Sequence, residues 1–131
     1  MRGRTASNVL TAQELEIMKV LWRRREPSTV RDVYEALLEQ RKIAYTTVMT
    51  MMGILEQKGY LVKEGGDRAY VYRPAQPRQK VVGAMVRDFL QRVFDGSAKP
   101  LLVHLVEDAG LTREEIEEIA ATAKSKRSRK P

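Results

Sequence analysis

The sequence predicts a mainly α fold with one small β-hairpin: an N-terminal winged helix-turn-helix followed by a C-terminal region of three helices. Three observations carry that expectation. The stretch Ala44 to Gly59 scores as a helix with two distinct faces. A hairpin pattern follows it at once. From Arg78 onward the chain turns helical again and becomes rich in Leu, Val and Phe.

The organising helix runs from Tyr45 to Gly59. At about 100° per residue, Val48, Met51, Met52 and Leu55 fall on one stripe with the spacing of a buried face. Thr46, Met49, Thr50, Gly53 and Gln57 fall on the opposite side, which carries no charge. A solvated face normally carries Glu, Lys and Arg. A face that presses on base edges wants short donors, acceptors and methyl groups. The alternative is a partly buried helix whose threonines cap or face water. Gly59 stops the helix as a glycine suited to a left-handed cap.

Ahead of this helix the chain predicts two more. Residues 1–9 read as a flexible basic arm. Thr11 with Glu14 makes a capping box for a helix to about Arg23, with Leu10 and Leu15 as a hydrophobic staple. Leu15, Met18, Leu21 and Trp22 form its apolar stripe, with Ile17 and Val20 at the edges. Pro27 ends the run Arg23-Arg24-Arg25-Glu26, whose arginines are either a solvated turn or phosphate contacts. Ser28 or Thr29 caps the next helix, to about Gln40, which buries Val30, Val33, Tyr34, Leu37 and Leu38. Helix, short connection, helix over Val30 to Gly59 is the arrangement of a helix-turn-helix.

Behind the organising helix, Leu61 to Glu64 reads as a strand, Gly65 to Arg68 as a tight turn, and Ala69 to Arg73 as the returning strand. Alternation puts Tyr70 and Tyr72 on one face. Arg68 sits at the tip, either reaching DNA or standing as an ordinary exposed hairpin arginine. Pro74 to Pro77 marks a boundary.

The second half predicts a helix from Arg78 to Phe94, with Val82, Met85, Val86, Phe89 and Val93 on one side. Asp95-Gly96-Ser97 breaks it. A very apolar helix follows from Pro100 to Ala109, and Thr112 with Glu115 caps a last helix to about Lys124, burying Ile116, Ile119 and Ala120. Three helices in about 50 residues are too few to enclose a core. Either a second copy of the chain covers them, or they fold back on the N-terminal part. The first reading makes 76–123 a dimerisation domain after a DNA-binding domain at 10–75, with a basic, disordered tail at 124–131. Its interface candidates are Met85, Phe89, Val93, Leu101, Leu102, Leu105, Val106, Ile116 and Ile119.

Composition narrows the function. The net charge of +7 suits a polyanion. Residues 1–75 hold 13 Lys/Arg against 9 Asp/Glu, and 76–131 hold 11 against 8, five of those 11 lying in the tail. The basic surplus of the folded body is therefore N-terminal. With no Cys and one His, His104, the sequence offers neither a metal site nor a His-based nucleophile, and no cofactor is expected. Gly65-Gly66 sits in a hairpin and not in a phosphate loop, so no enzyme is expected. No apolar run reaches membrane-span length, and Met1 to Arg4 precede no signal-peptide core. A cytoplasmic protein is expected.

These motifs, in this order, resemble the penicillinase-repressor (BlaI/MecI/CopY) family of winged-helix transcriptional repressors. The resemblance spans Leu10 to Lys124. It rests on Leu10 to Met18 followed by Leu21-Trp22, on Thr29 to Val33, and on Tyr45 to Thr50. It continues through Leu55 with Lys58-Gly59, Arg68 to Pro74, and Leu111 to Glu118. It implies a homodimer on a palindromic operator, blocking transcription. The implied DNA-binding set is Tyr45, Thr46, Thr47, Met49 and Thr50, with Arg68 on the wing. Some members carry Arg where Met49 stands, so the operator sequence does not carry over. In β-lactam-responsive members a membrane sensor protease leads to cleavage within the dimerisation helix, at a position that matches His104-Leu105. The copper-responsive branch uses a C-terminal cysteine motif, which this chain lacks. The alternative function is a winged-helix interaction module or a non-sequence-specific chromosomal DNA-binding module.

Overall fold

The structure is a computed structural model that describes residues 9–67 and 69–129, with side chains described to Lys124. Its elements in order are α1 (Ala12–Arg24), α2 (Val30–Leu38), α3 (Tyr45–Lys58), β1 (Leu61–Glu64), β2 (Val71–Pro74), α4 (Arg78–Phe94), α5 (Ala98–Asp108) and α6 (Arg113–Arg129). The chain divides into two units, 1–83 and 84–131, and the division falls inside α4. The N-terminal unit has the winged helix-turn-helix order; the last three helices follow it.

Two capping boxes start the N-terminal unit. Thr11 accepts from the Glu14 amide at 3.1 Å while Glu14 accepts from the Thr11 amide at 2.9 Å. Thr29 and Asp32 do the same for α2, at 3.0 and 2.9 Å. Thr29, and not Ser28, is therefore the cap.

The core is formed by Leu10, Ile17, Met18, Val20, Leu21, Val33, Leu37, Val48, Met52, Leu55, Leu61, Tyr72 and Val81. On α1 the buried stripe is rotated from the expected one. Ile17, Met18 and Leu21 are fully covered, while Leu15 and Trp22 are only half-buried. The reason is tertiary: α1 packs against α2, α3 and β2, so its covered arc is wider and differently centred than one helical stripe. Leu38 was expected inside but is 43% exposed, because α2 ends there and the chain turns away.

The hairpin differs in its loop. Leu61 pairs with Pro74 and Glu64 with Val71, so the ladder stops at Glu64 and resumes only at Val71, later than the predicted returning strand from Ala69. Tyr70 is drawn out of the ladder. Its ring lies 4.1 Å from the Lys63 ammonium, and a Cβ on Gly65 would stand 3.3 Å from it. Tyr70 and Tyr72 consequently do not share a face: Tyr70 is 56% exposed and Tyr72 is 6% exposed. Tyr72 exchanges two backbone hydrogen bonds with Ser28, at 2.8 and 2.9 Å, which adds a third short strand segment to the wing.

In the C-terminal unit α4 and α5 fall where the sequence puts them, and α6 continues to Arg129, beyond the predicted end near Lys124. Gly96 and Ser97 close the α4–α5 joint by donating to Leu90 and Phe94. Phe94 sits between the rings of Phe89 and His104, 5.9 Å from each. Among the described residues, none beyond Val81 is buried. The expectation that α5 is covered is not met within a single chain.

One polar contact locks the N-terminal unit. Lys58, in the last turn of α3, donates to both oxygens of Glu14 at 2.8 and 3.1 Å and to the Val9 carbonyl at 3.3 Å. Burial pushes the Glu14 carboxyl up, but the Lys58 hydrogen bond and charge and the Thr11 amide outweigh it and hold it below its ordinary value. A lowered carboxyl contributes stability that is complete above its ordinary value and lost as pH falls through the lowered one. Glu14→Gln is expected to cost about 1.5–3 kcal/mol at neutral pH, as for hydrogen bonds to charged groups. In urea melts the gap to wild type should close as the pH is lowered through the carboxylate range; a gap independent of pH would show that the charge is not what Lys58 binds.

Candidate nucleic-acid interface

The surface of α3 is set by what its other side does. Val48, Met52 and Leu55 are completely buried, and Met51 is half-buried at the margin. That fixes the helix about its own axis. Gly59, at φ +90°, ends it in the left-handed region, and Tyr60 donates back to Leu55 at 2.9 Å. Glu14 and Lys58 fix its far end against α1.

Its N-terminal end is held by rings. Tyr34 of α2 meets Tyr45 edge to face at 5.4 Å, and the Arg31 guanidinium lies 5.7 Å from the Tyr45 ring centre. Both contacts orient Tyr45, one by edge-to-face packing and one by cation–π attraction. Arg31 also pairs with Glu35 along α2 at 3.5 Å. Spacing along one helix could not show either cross-helix contact.

The structure brings five of the predicted DNA-binding residues onto one continuous surface. Tyr45, Thr46, Thr47, Met49 and Thr50 are all exposed, with Gln57 exposed and Gly53 half-buried farther along. Met49 is 46% exposed, in spite of being apolar. Arg68, the sixth, lies outside the described residues. Unlike α1 and α2, α3 begins without a side-chain cap on its first amides and without an acid in its first turn. Such a bare N-terminus favours an anion.

The charged side chains of the N-terminal unit are sorted by partner. Arg41, just before α3, binds Glu16 of α1 at 2.8 Å; this hydrogen bond holds the Glu16 carboxyl low and the guanidinium high. The amide of Thr29 holds Asp32 low. Arg24 is neither a solvated turn residue nor free for phosphate: it donates to the Ser28 hydroxyl at 2.7 Å and faces Glu26 and Asp32 at 3.7 Å. Arg23, Arg25 and Lys42 are exposed.

The predicted interface residues of the second half are uncovered in one chain. Phe89, Val93, Leu102, Leu105, Val106 and Ile119 are exposed; Met85, Leu101 and Ile116 are half-buried. His104 stands exposed in mid-helix, 3.2 Å from Asp108 of the next turn, and Leu105 follows it within α5. Among the described residues no cluster of His, Asp or Glu is arranged to hold a metal, and no helix is long and apolar enough to cross a membrane.

A family model described as penicillinase repressor matches residues 10–125. The chain is 43% identical over 98 residues to the transcriptional regulator BlaI of Mycobacterium tuberculosis, covering 74% of this chain and 71% of that one. It is 28% identical over 117 residues to the penicillinase repressor of Bacillus licheniformis, covering 89% and 91%. It is 22% identical over 110 residues to the methicillin resistance regulatory protein MecI of Staphylococcus aureus, covering 84% and 89%.

The two sides of α3 make opposite demands on stability. Met52→Ala is expected to destabilise the N-terminal unit by about 2–5 kcal/mol, the range for buried methionine truncation. Thr46→Ala and Thr50→Ala together should stay within about 0.5 kcal/mol of wild type in urea melts, as exposed positions do. A large loss from the threonine pair would mean that this side is packed.

Proposed function

The chain belongs to the penicillinase repressor family, and from that premise we propose that it is a sequence-specific transcriptional repressor acting in the cytoplasm as a homodimer on a palindromic operator. The observation that carries this reading is α3: one stripe fully buried, and the opposite side exposed, uncharged and lined by Tyr45, Thr46, Thr47, Met49 and Thr50. Water gives no reason for a surface helix to shed charge there. A major groove does. The uncapped start of α3 and the exposed Arg23, Arg25 and Lys42 suit phosphates, which supply affinity without sequence preference. Arg68 on the wing completes the proposed contact set.

The homodimer rests on α4, α5 and α6. A lone chain leaves Phe89, Val93, Leu102, Leu105 and Val106 in water, which apolar side chains in this density rarely tolerate. A two-fold copy covers them and sets two recognition helices on one duplex. Losing the dimer loses the second half-site's contribution, so relief of repression follows from anything that breaks it. Cleavage at His104-Leu105 by a membrane sensor protease system is the relief proposed here. It severs α5 in the middle.

The basic surplus, which includes the tail, favours a second reading: a winged-helix module that binds duplex without sequence preference. Competition decides between them. A gel shift on the protein's own promoter region should survive unlabelled random duplex and weaken steeply with salt. Loss of the band to random duplex at equal mass supports the second reading; no band at low salt overturns both. Thr46→Glu with Thr50→Glu should abolish the specific band. Leu102→Asp with Val106→Asp should convert a dimer to a monomer in sedimentation velocity. A wild-type protein that sediments as a monomer overturns the homodimer.

A further inference from the structure

Two features of α3 are left over after the repressor reading, and they lie one turn apart on the same side. The first is Met49. It carries no hydrogen-bond donor, yet it is among the more exposed large apolar side chains of the N-terminal unit. Its neighbours Thr46 and Thr50 add methyl groups and hydroxyls, and the head of α3, Tyr45 to Thr50, has no Arg, Lys, Asn or Gln to grip a purine with two bonds; Gln57 stands two turns farther along. In a major groove the apolar feature that such a surface can recognise is the C5-methyl of thymine.

The second is Gly53. It lies in mid-helix, where glycine weakens a helix relative to alanine. Its backbone is not in the left-handed region, and a Cβ built on it meets nothing within 4 Å. Neither the backbone nor the packing of this chain calls for a glycine here. A side chain at this position would lie one turn from Met49 on the same side and hold the helix off whatever it approaches.

We propose that α3 reads its half-site through thymine methyl groups, with Met49 as the contacting side chain and Gly53 as the clearance that lets it reach them. The inference rests on the repressor reading and names the chemistry of the base recognised. Thr46 and Thr50 flank the contact. Gly53 is a positioning residue: it touches no base and acts by what it lacks.

The test begins with selection of a duplex from a random-sequence pool by the full-length protein. The selected duplex is the probe, and each thymine in its half-site is replaced in turn by uracil, which removes only the C5-methyl. Wild type should bind about fourfold more weakly for each methyl read, the equivalent of one buried methyl group. At one position Met49→Ala should be indifferent to the replacement, while Met49→Leu should keep the sensitivity. Gly53→Ala should melt at a higher temperature than wild type and still bind the selected duplex about tenfold more weakly. A merely structural glycine would move both readouts together.

A selected duplex indifferent to uracil at every position overturns the methyl reading and leaves the repressor intact. Met49→Ala as sensitive as wild type at every position removes Met49 from the role. Gly53→Ala binding as tightly as wild type removes the clearance. A pool that enriches no sequence overturns the repressor reading and this inference with it.

Discussion

Val48, Met52 and Leu55 set the rotation of α3, and the rest of the N-terminal unit is arranged to cover them. Each contributes about 1.5–3 kcal/mol by leaving water. Turning the helix by a single residue, about 100°, would expose part of that stripe and bury threonine hydroxyls without partners. The outward residues are thus placed by the inward ones. Glu14 then fixes the helix along its length: one carboxylate closes the cap of α1 and accepts Lys58 from the end of α3, so the start of α1 and the end of α3 are held at one point.

The two units handle apolar surface differently. The N-terminal unit, some 75 described residues, buries most of its leucines and several of its valines and methionines among three helices, a hairpin and the added segment at Ser28. The C-terminal unit carries a similar share of apolar residues and buries none of its described residues. Helices of this length, in an arrangement that does not close on itself, cannot reach around their own apolar sides.

Electrostatics is partitioned in the same way. The cations that have structural work, Arg24, Arg41 and Lys58, are each bound to carboxylates and hold turns or helix ends. Among the described residues of the N-terminal unit, Arg23, Arg25 and Lys42 stand exposed at the surface. Displacing water and counterions from an exposed cation costs less than breaking a buried pair.

Local signals settled most of the secondary structure. The capping boxes Thr11–Glu14 and Thr112–Glu115, the two-faced period of α3, Gly59 and the bounds of α4 were all legible in the sequence, because each depends on residues within a turn or two of one another. So were the five exposed residues at the head of α3, since a helix that buries Val48 and Met52 must show Thr46, Met49 and Thr50. What the sequence could not supply were relations across elements. The rotation of α1 toward Ile17, the Tyr34–Tyr45 contact, the Lys58–Glu14 lock, the escape of Tyr70 from the wing and the pairing of Ser28 with Tyr72 all depend on which segments meet in space. Periodicity reports one helix's preference for a covered side. Only packing decides how wide that side is, and what covers it.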